Sequence, residues 1–205
     1  MESYITVKQE GEFEYEDRKS VFIGKAKPVR TESEALEFIA SVKKNYPDAR
    51  HHVYAYVLRE NQTMRFSDDH EPQGTAGMPV LDAIRKRGCT DVAIVVTRYF
   101  GGTLLGTGGL VHAYSASAVG ALNSAQVIVY DVYSEISVSC SYSDYQKILP
   151  QIPEWGFRED STDYGENITI KGSILKVNAD KFADSLTQIT SARAIVEILS
   201  EKYAF

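Results

Sequence analysis

Three carboxylates, a histidine and two hydroxyls fall within residues 67–75, inside the run Arg65-Phe66-Ser67-Asp68-Asp69-His70-Glu71-Pro72-Gln73-Gly74-Thr75-Ala76-Gly77-Met78-Pro79. Such side chains, in a loop that Pro and Gly restrict, suit a binding site or a metal site. They equally suit a solvated turn, because Asp and Ser bond their own backbone. The spacing matches neither an EF-hand nor a His-Glu-x-x-His zinc site, so no metal is expected. A catalytic triad of Ser67, Asp68 and His70 is disfavoured too, since triad members come from separate elements and no nucleophile elbow is present.

A second stretch runs Thr97-Arg98-Tyr99-Phe100-Gly101-Gly102-Thr103-Leu104-Leu105-Gly106-Thr107-Gly108-Gly109-Leu110-Val111-His112-Ala113-Tyr114. An apolar strand leads into a glycine-rich loop that opens a helix. Unobstructed N–H groups and the positive end of the helix dipole could there meet an anion, and Arg98 offers a planar fork for phosphate. The pattern is neither a Walker A loop nor Gly-x-Gly-x-x-Gly. Glycines at these positions would also serve tight strand-to-helix packing. His51 and His52 follow Arg50 into a strand, where neighbours face opposite ways, so only one of the two histidines can face a site. Arg85-Lys86-Arg87 reads as a solvated helix end or a phosphate contact.

The elements that position these residues can be read from their periodicity. Residues 4–14 and 20–29 read as a hairpin around Glu16-Asp17-Arg18-Lys19. Thr31-Glu32-Ser33-Glu34 has the capping-box form, and Ala35, Phe38, Ile39, Val42 and Tyr46 then share a helical face until Pro47. A strand is expected at 52–58, with 63–66 as a pairing candidate. A helix is expected at 78–87 with Pro79 in its first turn. Residues 92–97, Val-Ala-Ile-Val-Val-Thr, read as a strand covered on both faces. A helix rich in small residues is expected at 107–123. Beyond residue 130, positions 136, 138, 140 and 142 alternate with serines as a strand with one wet face. A short helix at 145–149, strands near 157 and at 168–177, a helix carrying Phe182, Leu186 and Ile189, and a strand at 194–199 complete a β-α-β-β-α-β order, that of a ferredoxin-like module.

The chain has 205 residues, 43% hydrophobic and 24% charged, which excludes disorder, collagen-like repeats and disulfide miniproteins. Its net charge of -6 argues against coating duplex DNA or anionic membrane by bulk charge. That charge is uneven. Residues 1–130 carry 15 basic and 16 acidic side chains, and residues 131–205 carry 7 and 12, which places a domain boundary between 130 and 131. Any nucleic-acid contact should therefore be local, few in phosphates and confined to the first domain. Two cysteines, Cys89 and Cys140, without a Cys-x-x-Cys, argue against disulfides and thiolate zinc and point to a reducing compartment. With no signal-like N-terminus and no long apolar stretch, a cytoplasmic protein is expected.

Glu71-Pro72-Gln73-Gly74-Thr75-Ala76-Gly77-Met78-Pro79, followed by residues 95–111 of the glycine-rich stretch, closely resembles the paired signature of the IMPACT family, in its bacterial YigZ-like branch. The resemblance covers nearly the whole chain. It implies an α+β protein. The IMPACT-type N-terminal domain, 1–130, would share the ribosomal-protein-like β-α-β fold of elongation factor G domain IV and galactokinase-type kinases. The ferredoxin-like C-terminal domain, 131–205, would resemble domain V of the same factor. Two positions depart from the family pattern. His70 stands where glycine is common, which makes a positive-φ turn less comfortable. His112 stands where Arg or Lys is common, which weakens a phosphate contact there.

The resemblance also implies a translation-linked regulator, and RNA or the ribosome is the expected partner. The expected phosphate-binding or nucleic-acid-binding residues are Arg50, His51, Arg65, Asp68, Glu71, Gly74, Thr75, Arg98, Tyr99, Gly101, Gly102, Gly106, Thr107, Gly108 and Gly109, with no cofactor and no catalytic residue assigned. One alternative is an enzyme or sensor for a small phosphorylated ligand or nucleotide, although no base and nucleophile pair is recognisable. Another is a protein-interaction module that uses the acidic second domain.

Overall fold

The computed structural model describes residues 2–205, which fall into two units: Tyr4–Val129, and Tyr130–Phe205 together with Glu2 and Ser3. The first strand expected at 4–14 divides into β1 (Tyr4–Val7) and β2 (Gly11–Asp17). The break has a steric cause: a Cβ on Gly11 would lie 2.2 Å from the Ala125 nitrogen, so β2 can begin only where glycine permits this approach. β1 is held by its own bond, Thr90 N–H to Ile5 O at 2.8 Å. β2 turns into β3 (Ser20–Pro28) through Arg18 and Lys19, at φ of 46° and 66°. Both lie in the left-handed region that a two-residue hairpin turn requires, here without a glycine.

Thr31 caps α1 (Glu32–Asn45), accepting from Glu34 N–H at 3.2 Å. The Glu34 carboxylate reaches one residue further back than in a capping box, to Arg30 N–H at 2.6 Å. β4 (His51–Val57) and β5 (Met64–Ser67) pair antiparallel, α2 (Gly77–Lys86) carries Pro79 in its first turn, and β6 (Val92–Tyr99) precedes α3 (Gly106–Ser124). The antiparallel sheet runs β2-β3-β6-β4-β5. β6 is covered on both faces. Ala93 and Val95 pack with Phe38, Ile39 and Val42 of α1, whereas Val92, Ile94 and Val96 pack with Val80 and Ile84 of α2 and Ala113 and Ala118 of α3. Alternation along one strand thus separates two cores.

The second unit centres on residues 130–140 of β7 (Val127–Cys140), whose last residues carry the Ser alternation. Tyr142, expected at the end of that strand, lies in α4 (Tyr142–Ile148) instead. Ser141 leaves the pattern to cap this helix, accepting from Asp144 N–H at 3.2 Å. A single turn, α5 (Gln151–Glu154), follows Pro150, and β8 (Arg158–Tyr164), β9 (Ile168–Leu175), α6 (Lys176–Ile189) and β10 (Ile195–Ala204) complete the chain. The pairs β10 with β7, β7 with β9 and β9 with β8 are antiparallel. Phe157, Phe182, Leu186 and Ile148 fill the core on the even-numbered face of β7. The protein is an α+β protein.

Candidate functional site

Arg98 sits near the end of β6, paired across the sheet with His51 on β4 and Phe22 on β3. It is 6% exposed, and Glu71, in the loop that leads to α2, is 9% exposed. Arg98 Nη1 donates to Glu71 Oε1 at 2.5 Å, and the Tyr114 hydroxyl of α3 donates to the same oxygen at 2.8 Å. Burial, then the charge and hydrogen bond of Glu71, push the Tyr114 hydroxyl far above its ordinary range, so it stays a donor. The guanidinium carbon lies 5.4 Å from the Phe22 ring centroid and 5.7 Å from that of Phe100. Arg98 Nε and Thr97 Oγ1 are buried without a partner. This cluster ties a loop, a strand and a helix together at one end of the sheet.

Three further acids at this end, Asp68, Asp69 and Asp48, are also engaged within the unit. Asp68 accepts from the N–H groups of Gly74 at 2.9 Å, Ala76 at 3.1 Å and Gly77 at 2.8 Å, which places its charge on the positive end of α2. Asp69 accepts from His52 N–H at 2.6 Å and lies 3.6 Å from Lys43 Nζ. Asp48 accepts the Tyr99 hydroxyl at 2.9 Å. His51 donates through Nδ1 to Asp69 O at 2.9 Å, and His52 through Nε2 to Tyr46 O at 3.0 Å; a carbonyl only accepts, which fixes each tautomer. The buried Thr75 hydroxyl donates to Pro72 O at 2.6 Å. Asp69 and His70 have φ of 41° and 70°, so the turn at which glycine is common is left-handed here and carries a histidine.

The glycines divide by role. A Cβ on Gly101 would lie 2.1 Å from the Lys19 carbonyl carbon, so this glycine seats the Arg18-Lys19 turn against the loop. Its N–H donates to Ser20 Oγ at 3.1 Å. Gly74, Gly102 and Gly106 supply positive φ at 77°, 84° and 74°. Gly106, Thr107 and Gly108 are exposed in the first turn of α3, where no side chain caps the N–H groups, and Gly109 is half-buried behind them. Phe100 and Leu104 project from the same loop, 52% and 82% exposed.

Glu71, Gly74, Thr75, Asp68, Arg98, Tyr99, His51, Arg50 and the 101–109 loop thus come from elements that share one sheet end. Arg65 does not join them. It pairs with Tyr56, five residues along β4 from His51, about 17 Å away at the strand rise. In the sequence Arg18 and Lys19 look like turn residues, yet the Gly101 contact brings them to the glycine loop. Tyr114, within the glycine-rich stretch, joins the site only through its bond to Glu71. Among the described residues, Arg18, Lys19, Lys44 and Arg50 form no ion pair. His112 is exposed and meets the Tyr15 ring edge-on at 6.0 Å. No group of three or more His, Cys, Asp or Glu among the described residues is placed to hold a metal, and no helix among them is long and apolar enough to cross a membrane.

These features define a two-unit α+β protein with a glycine-rich loop at one end of its first sheet. The family model for the Impact N-terminal domain matches residues 18–122, and one described as a domain of unknown function, DUF1949, matches residues 138–193. The chain is 37% identical over 198 residues to the IMPACT family member YvyE of Bacillus subtilis, covering 96% of this chain and 91% of that protein. It is 32% identical over 178 residues to the IMPACT family member YigZ of Escherichia coli, covering 85% and 87%. The chain belongs to the IMPACT family. Protein IMPACT of Bos taurus is 31% identical over 100 residues, 47% of this chain and 31% of that protein. A crystal structure of a protein described as hypothetical superposes with a TM-score of 0.61 at 30% identity, covering 98% of both chains.

Proposed function

We propose that this protein binds RNA, free or within the ribosome, through the glycine-rich end of its first unit, and that it serves as a translation-linked regulator. The observation that carries this reading is a separation of charge roles. Asp48, Asp68, Asp69 and Glu71 each give an oxygen to an internal donor, while Arg18, Lys19 and Arg50, at the same end of the sheet as the uncapped start of α3, are exposed and form no ion pair. Adjacent strands lie about 5 Å apart, so the Lys19 turn and Arg50, separated by β6, flank a strip roughly 10–15 Å wide, enough for a single nucleotide backbone to cross. Exposed amides at a helix start take a phosphate without reorganisation. Arg98 enters as the anchor of the loops, its charge held by Glu71.

Salt-titrated binding of RNA to the wild type and to a variant carrying Arg18→Ala, Lys19→Ala and Arg50→Ala tests the reading. The variant should bind more weakly, with a salt slope lower by about one for each cation in contact. Equal affinity and equal slope would sink the assignment.

A further inference from the structure

Resting on that reading, we infer that the RNA this end takes is single-stranded, with one unpaired base stacked on Phe100. The ring is 52% exposed on the glycine-rich loop, although phenylalanine is among the residues most often buried, and Arg98 approaches it at 5.7 Å. Arg98 is itself fixed by the buried bond to Glu71, so the ring rests on a rigid support. Gly101 follows Phe100 directly and is locked against the Lys19 backbone, which leaves the loop little freedom to fold the ring inward. An oriented aromatic face flanked by unpaired cations matches a nucleotide chain: the face takes a base, and the cations and the α3 amides take the neighbouring phosphates. An A-form duplex keeps its base faces stacked on one another and offers this ring nothing.

The test titrates full-length protein, wild type and Phe100→Leu, with a labelled oligouridylate and with an RNA duplex of equal length. The wild type should prefer the single strand by about tenfold or more, and Phe100→Leu should lose about 5- to 100-fold on the single strand, the range carried by one base–aromatic stack. Duplex binding and the salt slope should not change, and Phe100→Tyr should keep single-strand affinity. Circular dichroism and the thermal midpoint establish that each variant is folded. Equal affinity of the wild type for both probes, or a Phe100→Leu variant that binds the single strand like wild type, overturns the stacking inference and leaves RNA binding standing. Absence of binding to either probe at low salt overturns both.

Discussion

Arg98 and Glu71, 27 residues apart in the chain, meet as a buried ion pair whose shared oxygen also receives the Tyr114 hydroxyl. Taking two charges out of water is expensive, so the pair is worth little to stability relative to apolar replacements, but removing one member leaves an uncompensated charge. Arg98→Met should therefore destabilise the first unit by about 3–5 kcal/mol in urea denaturation, and adding Glu71→Gln, which removes the charge but keeps an oxygen for the Tyr114 hydroxyl, should recover most of that loss. A single variant that loses less than about 1 kcal/mol would mean that water reaches the carboxylate and that the three elements are not locked together there.

His70 holds a left-handed φ of 70° directly before Glu71. A residue with a Cβ costs about 1–2 kcal/mol in that region, while glycine adds chain entropy to the unfolded state that offsets part of the gain. His70→Gly should raise the denaturation midpoint by an amount equivalent to about 0.5–1 kcal/mol. A drop on the same measurement would show that the imidazole makes a contact that outweighs the strain.

How far the site was legible follows the range of the forces involved. The double burial of β6 shows in its unbroken apolar run, and the capped start of α1 shows in Thr31 and Glu34, because both are local patterns. Arg98 carried the right signal for an anion site and the wrong reach: nothing in its own neighbourhood announces that Glu71 will neutralise it. Arg18 and Lys19 look like any polar turn until Gly101 is known to lie against their backbone. Tyr142 departs from the strand pattern for a local reason of a different kind. Ser141 fits both a strand alternation and a helix cap, and the cap prevails because it satisfies an otherwise unpaired N–H.

In the second unit, Asp144 is buried beneath Arg193, which donates through Nε at 2.9 Å and Nη2 at 2.6 Å, with Lys147 at 3.1 Å. The Arg193 bonds, aided by those of Lys147 and Ser141, hold its carboxyl well below the usual carboxylate range. The folded state thus favours the charged form. The stabilisation is fully present above the unfolded pKa of about 4 and is lost as the pH falls below it toward the lowered folded value. Denaturant melts at descending pH should show the second unit weakening below about pH 4, and Asp144→Asn should flatten that acid limb while lowering stability near neutrality. An unchanged acid limb in the variant would assign the loss to other carboxylates.

Gly101 and Gly108 separate packing from binding within one loop. A methyl group on Gly101 meets the Lys19 backbone at 2.1 Å, and backbone on both sides would have to yield, so Gly101→Ala should cost about 1–3 kcal/mol. Gly108 has nothing within 4 Å of the corresponding position and lies in the first turn of α3, so alanine there should leave stability unchanged or raise it by up to about 1 kcal/mol. The added methyl nevertheless crowds the uncapped amides. If those amides hold a phosphate, Gly108→Ala becomes as stable as wild type or more so and binds RNA severalfold more weakly. Were RNA affinity unchanged in that stable variant, the loop's other glycines would be explained by the close approaches at Gly101 and Gly109 and by positive φ at Gly102 and Gly106, and the phosphate contacts would fall to Arg18, Lys19 and Arg50.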